Sequence, residues 1–285
     1  MINSVKAVEN LKKGKYDSLL EEIYIDSKQI DYQRERYIKA IKEYEILFCQ
    51  DEISIFSAPG RSEVCGNHTD HQHGKVLATS VNLDIIAVTA RNNSNIVKVV
   101  SSGFDMITVD INDLDIRENE AGNTESLVRG VLKGLKDRGY KLAGFNAYTT
   151  SDVLVGSGLS SSAAFENVIG TIVSGLFNDM KIDAITIAQI SQFAENVYFK
   201  KPCGLMDQMA CSVGGMINVD FKNPEKSIVN KIDVDFEKYN YSLCIVDTKG
   251  SLLSLGRGLL QCLCRLNIVF KCVIILKNSF WAVRA

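Results

Sequence analysis

The stretch Val153-Leu-Val-Gly-Ser-Gly-Leu-Ser-Ser-Ser-Ala-Ala164 constrains the fold more than any other part of the chain. Apolar, β-branched residues run up to Gly156, and from Leu159 onward Ala163, Ala164, Val168, Ile169, Ile172, Val173 and Leu176 recur at helical spacing. The pattern predicts a strand, a tight glycine loop and a helix. Gly156 and Gly158 carry no Cβ that would keep a ligand off the backbone. Ser160, Ser161 and Ser162 place hydroxyls and unpaired N–H groups at the helix start, where the dipole supplies roughly half a positive charge. The expectation is an anion cradle for nucleotide phosphates. The plain alternative is that the serines only cap the helix and the glycines only turn the chain. No Gly-Lys-Ser/Thr follows the glycines, so this is not a Walker A loop.

With 285 residues, 46% of them hydrophobic, the chain can bury about three quarters of its unfolded surface in one large or two modest domains. A net charge of −2 provides no basic field for nucleic acid, so affinity for phosphate has to come from a local site. The eight cysteines contain no Cys-x-x-Cys and several sit inside apolar runs, which fits a reducing, cytoplasmic setting. The first ten residues have no continuous apolar core, and the run Leu266 to Leu276 is interrupted by Asn267 and Lys271. Neither a secretion signal nor a membrane partner is expected.

Residues 1–50 are expected to form an N-terminal helical segment of two or three amphipathic helices without chemistry. In the last, Tyr37, Ile38, Ile41, Tyr44 and Phe48 share one face, while Arg34, Glu35, Arg36, Lys39, Lys42 and Glu43 fill the other. A strand at Ile53 to Ser57 leads into Ala58 to Gly74, where proline and glycines predict an irregular loop dense in polar groups. All three histidines, His68, His71 and His73, lie in it. A metal centre there needs further ligands that Asp70 supplies only in part. Strands are predicted at Val76 to Arg91, Ile96 to Val100, Met106 to Ile111, Phe145 to Thr150 and Tyr241 to Asp247, and helices at Glu125 to Arg138 and Ile185 to Tyr198. Without strict alternation of the two, a mixed α+β sheet is expected rather than a Rossmann fold.

Three segments resemble the GHMP small-molecule kinases, and within them the galactokinases. Gly158 to Ala164 repeats the family's Gly-Leu-Ser-Ser-Ser-Ala-Ala, a run of seven letters that chance supplies on the order of once per ten million starts. Pro59, Gly60, Arg61, Gly66, His68, Thr69, Asp70 and Gly74 match the galactokinase signature, and Cys203 to Gln208 is similar to its Cys-Gly-Ile-Met-Asp-Gln. The sequence departs at Asn67, where the family has Glu, at His71, where it has Tyr, and at Leu154, where its loop carries proline. The resemblance runs from about Phe56 to Asp247. It implies a GHMP kinase N-terminal domain over residues 51–220, with ATP lying between it and a ferredoxin-like C-terminal domain that begins near residue 221.

Phosphoryl transfer to a hydroxyl needs a carboxylate to receive the proton, a cation on the phosphate charge and a metal ion bridging phosphate oxygens. The resemblance supplies each. It implies transfer of the ATP γ-phosphate to the anomeric hydroxyl of galactose or a related sugar, with Asp207 as base and Arg61 stabilising the phosphoryl group. Asn67, His68, Thr69 and Asp70 would bind the sugar. Gly156, Ser157, Gly158, Leu159, Ser160, Ser161 and Ser162 would hold ATP, and Ser162 with Glu195 would hold Mg2+. A monomer is expected. Three other readings stay open, a non-catalytic galactose and ATP sensor, a different GHMP sugar kinase and an unfolded gene remnant.

From residue 248 the composition breaks. Residues 248–285 contain no Asp or Glu, six Lys or Arg, three of the eight cysteines and the only tryptophan, Trp281. This predicts a truncated or frameshifted end that leaves the C-terminal domain incomplete, without the family's third glycine-rich motif, and lowers activity.

Overall fold

The computed structural model describes residues 1–154, 156–223, 226–234, 236, 238 and 241, together with the backbone of 242–245 and 273–277. Most of the compositionally aberrant tail therefore lies outside the described residues.

One long strand organises the rest. Lys75–Arg91 (β3) is 17 residues of mostly β-branched and apolar side chains, and both of its edges are used. Along one edge it pairs antiparallel with Glu52–Cys65 (β2), which is extended by the short Ile2–Asn3 (β1). On the other edge, residues 75–79 pair with Met216–Asp220 (β7) and residues 85–91 with Phe145–Ser151 (β6). Ile96–Ser101 (β4) and Ile107–Asp110 (β5) continue outward from β6, and Ile228–Ile232 (β8) from β7. Among the described residues these eight strands form one sheet, antiparallel except for β4 with β6. Tyr241–Ile245 (β9) pairs antiparallel with Val273–Lys277 (β10) in a separate ribbon. The mixed sheet expected from the sequence is present.

Because strand side chains alternate between faces, β3 feeds two cores. Ile85 and Ala87 join Val97, Val99, Phe145 and Ala147 beneath Thr124–Asp137 (α4), Ser161–Phe177 (α5) and Ala184–Phe193 (α6). Ile86, Val88 and Ala90 point the other way, against Tyr24, Tyr37, Ile41 and Tyr44 of the N-terminal helices Ser4–Lys12 (α1), Asp17–Tyr24 (α2) and Ile30–Phe48 (α3). Met206–Val213 (α7) packs Met206 and Met209 on Val76, Ala78 and Ile217. Each large side chain buried in this way contributes about 1.5–3 kcal/mol. No helix among the described residues is long and apolar enough to cross a membrane.

Three local expectations fail, each for a visible reason. Val153 is not in a strand. The Ser151 hydroxyl donates to the Val153 carbonyl and accepts from its N–H, closing the chain into a turn as β6 ends. Conversely, β2 does not stop before Ala58 but runs to Cys65, because register shifts between Pro59 and Arg61 and between Glu63 and Cys65 absorb the proline and its missing N–H. Irregular backbone is confined to Gly66–Gly74, with Gly66, Asn67, His68 and His73 at positive φ. Arg36 does not face solvent with its charged neighbours. It is buried, with a guanidinium nitrogen 2.6 Å from Asp84 and 3.0 Å from Asp152. The helix expected over Ile185 to Tyr198 is present, α-helical to Phe193 and closing with a π turn over Ala194–Tyr198, where Ala194 lies against Gly130 of α4.

Candidate active site

The three sequence segments converge where β2 passes the start of α5. The Arg61 N–H donates to the Leu159 carbonyl at 3.0 Å, and one guanidinium nitrogen donates to the Gly158 carbonyl at 2.8 Å. Gly60 allows this approach, since a Cβ there would lie 2.8 Å from the Leu159 oxygen. The rest of the Arg61 guanidinium forms a two-pronged pair with Asp207, Nε to Oδ1 at 2.8 Å and Nη2 to Oδ2 at 2.7 Å. Ser160 donates to the same Oδ2 at 2.6 Å. Arginine, serine and carboxylate thus come from residues 61, 160 and 207, held by β2, the glycine loop and the first turn of α7.

Burial alone would push the Asp207 carboxyl up, but the charges of Arg61 and His68 and the hydrogen bonds from Ser160 and Arg61 outweigh it and hold the group below the ordinary carboxylate range. Asp207 is therefore ionised at neutral pH and able to accept a hydroxyl proton. Burial would also lower the Arg61 pKa, but Asp207 more than offsets this and keeps it raised, so the cation stays charged in a nearly closed environment.

The glycine loop has the features of an anion site. Gly156 and Gly158 both have φ of 73°, and Ser160 takes a left-handed φ of 59° at the cap of α5. Its hydroxyl is turned to Asp207 rather than to the first N–H groups of the helix. The Ser157 hydroxyl is buried without a hydrogen-bond partner. Buried polar groups are normally paired, so such an orphan suits a ligand.

Beside it is a carboxylate corner. Ser162 donates to Glu195 Oε1 at 3.0 Å, Lys201 approaches the same oxygen at 2.6 Å, and Gln208 donates to Oε2 at 2.6 Å. Glu195 is buried, presented by the π turn, and Glu166 lies one helical turn beyond Ser162, also buried. Burial and the neighbouring Glu195 raise the Glu166 pKa well above the ordinary range. Glu166 Oε1 and Gln208 Oε1 have no partner. Magnesium takes few protein ligands, all hard oxygens, and the donor set of Ser162, Glu195 and these orphaned oxygens fits it.

The polar loop after β2 reaches the same place through one residue. Asp70 Oδ2 accepts from the Met206 N–H at 3.2 Å, next to Asp207, while Asp70 Oδ1 is buried and unpartnered. Gly204 leaves room for it, because a Cβ there would collide with the Asp70 carboxylate and displace it. His68 turns toward Glu63, whose carboxylate accepts from the His68 N–H at 2.9 Å. Thr69 faces inward on its own loop, donating to the Lys75 carbonyl, and Asn67 is exposed. His71 and His73 are exposed, and among the described residues no three His, Cys, Asp or Glu side chains group to hold a metal ion. Sequence reasoning missed Glu63, Glu166, Lys201 and Gln208. Glu166 and Gln208 left readable signals, the first its spacing of four from Ser162 on one helix and the second its place in the segment Cys203 to Gln208.

Comparison with known proteins gives the same segments. The family described as GHMP kinases N terminal domain matches residues 126–215, and the galactokinase galactose-binding signature matches residues 42–91. A galactokinase of Clostridium tetani is 32% identical over 173 residues, 61% of this chain and 44% of that protein. A galactokinase of Lactobacillus helveticus is 31% identical over 61% of this chain and 45% of its own length. Among solved structures, Lactococcus lactis galactokinase complexed with galactose superposes with a TM-score of 0.65 at 24% identity, covering 73% of this chain and 54% of that one. The Methanococcus jannaschii mevalonate kinase superposes at 0.57 with 16% identity, over 71% of this chain and 64% of that one. These likenesses establish the fold. The chain spans about half the length of the curated relatives it matches.

Proposed function

We propose, for a chain that carries the galactokinase galactose-binding signature and the N-terminal domain of the GHMP kinases, that it serves a sugar kinase transferring the γ-phosphoryl group of ATP to the anomeric hydroxyl of galactose. The observation that carries the reading is the Arg61–Asp207 pair, set between the phosphate loop and the Asp70 carboxylate.

In this reading the orphaned Asp70 Oδ1 and the His68 ring take sugar hydroxyls, and the sugar's anomeric hydroxyl lies against Asp207. Asp207 accepts its proton as the oxygen attacks the γ-phosphorus and the bond from phosphorus to the β–γ bridging oxygen breaks, releasing ADP. Arg61 then shifts its positive charge from Asp207 toward the phosphoryl oxygens, where charge develops. The α5 N-terminus and the Ser157 hydroxyl hold the remaining phosphates. Ser162 and Glu195 would hold Mg2+, which when bound neutralises charge between the phosphates. Free thiols at Cys49, Cys65, Cys203 and Cys211 suit a reducing, cytoplasmic setting.

Incubating the purified chain with ATP and a panel of aldoses, following ADP release and identifying the product by 31P NMR, tests the reading. Galactose-dependent ADP release yielding a sugar 1-phosphate, absent in Asp207→Asn, is expected. Nucleotide-independent sugar binding without ADP release would overturn it. Preference for another aldose would assign the exposed Asn67 to a different sugar.

A further inference from the structure

Lys201 is the one charged side chain in the carboxylate corner that the proposed chemistry leaves unused. Its ammonium stands 2.6 Å from Glu195 Oε1, the oxygen to which Ser162 also donates. The two partners differ sharply in exposure, with the Glu195 side chain 2% and the Lys201 side chain 59% accessible. A buried carboxylate therefore meets a cation reaching in from solvent.

The backbone shows that this approach is built rather than adventitious. The Lys201 N–H donates to the Glu195 carbonyl at 3.1 Å, as the π turn unwinds. Lys200 sits at φ of 64°, a left-handed conformation uncommon for a non-glycine residue. Asn196 then clamps Cys203 from both sides, accepting from its N–H at 2.6 Å and donating to its carbonyl at 3.2 Å. Phe199 is tied to Gly122 at 3.1 Å. The strap carrying Lys201 is fixed at both ends while the side chain keeps its four-carbon reach.

With Ser162 and Lys201 on Oε1 and Gln208 on Oε2, the carboxylate has a donor on each oxygen and a unit positive charge at contact distance. A free divalent ion reaching Glu195 either displaces the ammonium or stands beside it against like-charge repulsion. Nucleotide phosphates change this balance. They offer the ammonium anionic oxygens beyond the carboxylate and bring the metal with its charge already offset.

We infer that Lys201 is a tethered cation that holds Glu195 against free divalent metal and passes to the nucleotide phosphates when metal and ATP arrive together. The inference rests on the reading of Ser162 and Glu195 as the metal corner. It makes Lys201 a nucleotide-binding residue and couples metal binding to nucleotide binding.

Mn2+ serves as the probe, with free ion counted by electron paramagnetic resonance in the absence of nucleotide. Lys201→Met is expected to bind Mn2+ about tenfold or more tightly than the unsubstituted chain, Lys201→Arg to stay close to it, and Lys201→Met/Glu195→Gln to lose the gain. With Mg2+ at saturation, so that the competition for Glu195 no longer contributes, Lys201→Met is expected to bind a fluorescent ATP analogue several-fold more weakly. Equal Mn2+ affinity in Lys201→Met and the unsubstituted chain, or a gain that survives Glu195→Gln, overturns the inference. If the Mn2+ gain appears but no variant binds the nucleotide analogue, the competition for Glu195 stands, and the hand-over to phosphate falls together with the kinase reading.

Discussion

Replacing Asp207 by Asn separates chemistry from stability at the centre of the site. The carboxylate meets Arg61 through two contacts of 2.7 and 2.8 Å, and the Arg61 side chain is only 8% exposed. Breaking a buried pair costs about 3–5 kcal/mol, because the surviving charge is left without its counter-ion. Two features moderate that figure here. Asp207 itself is 29% exposed, and the amide oxygen of Asn can still accept from one guanidinium nitrogen. A loss of about 2–3 kcal/mol follows, a fall in Tm of roughly 4–12 °C for a domain of this size. Arg61→Met alone leaves the opposite orphan, the partly solvated carboxylate, and costs less. The double variant removes both charges and recovers part of the loss, giving a favourable coupling of about 1–3 kcal/mol in the cycle. On the proposed function, phosphoryl transfer does not recover, because the proposed base and cation are both gone. Thermal melts by circular dichroism of the four proteins, alongside ADP release, read both quantities. Additive melts, with no coupling beyond about 0.5 kcal/mol, would refute the ion pair as the link between β2 and α7.

Other expectations follow from the same geometry. Arg36→Met should lower Tm by about 10 °C, since it strands Asp84, 4% exposed, in the second core, and adding Asp84→Asn should restore part of it. Gly204→Ala forces a methyl into the Asp70 carboxylate, so on the proposed function galactose binding measured by calorimetry should weaken at least tenfold while binding of an ATP analogue is unchanged. Asp207, Asp183 and Asp220 are all held below their ordinary pKa, so their contribution to stability is complete above an unfolded-state pKa of about 4. It is lost as pH falls through the lower folded values, and a urea-melt series from pH 7 to pH 2 should show a shallower decline for Asp207→Asn. Glu166 is shifted the other way, so it costs stability as pH rises above its unfolded value, and Glu166→Gln should raise Tm at pH 8 more than at pH 4.

The legible part of this molecule is the part where local chemistry has one solution. Helical spacing from Ala163 to Leu176 specifies α5, and a β-branched run from Val76 to Arg91 specifies a strand, because few other backbones bury those side chains. Residues 61, 70, 162, 195 and 207 were nameable through resemblance, and the fold brings four of their side chains into two contacting pairs. What escaped depends on partners distant in sequence. Pro59 and Gly60 look like loop residues, yet bulges against β3 keep them in a strand. Arg36 sits among charged neighbours on a helix, and only partners far along the chain, Asp84 and Asp152, explain its burial. The π turn at Glu195 has no local marker, since it answers to the packing of Ala194 on Gly130.

That last class of contact also explains how the glycine loop is placed. Its downstream half is fixed by β2, through Gly60 and Arg61 against Leu159 and Gly158. Its upstream end is fixed from the opposite face of the sheet. The Asp152 N–H donates to the Asp84 carbonyl at 2.9 Å, and its carboxylate accepts from Tyr32 at 2.8 Å and pairs with Arg36 at 3.0 Å. Arg36 in turn reaches the carbonyls of Asp84 and Thr150, and Tyr24 donates to the Asp84 carboxylate. Helices α2 and α3, which carry no residue of the chemistry, therefore hold the residue immediately before Val153. A loop rich in glycine has little conformational preference of its own, so its position has to be imposed from outside, and here it is imposed from both layers. The seven letters that announce the loop specify its glycine and serine chemistry, while the buried arginine of an unrelated-looking helix helps to specify where that chemistry sits.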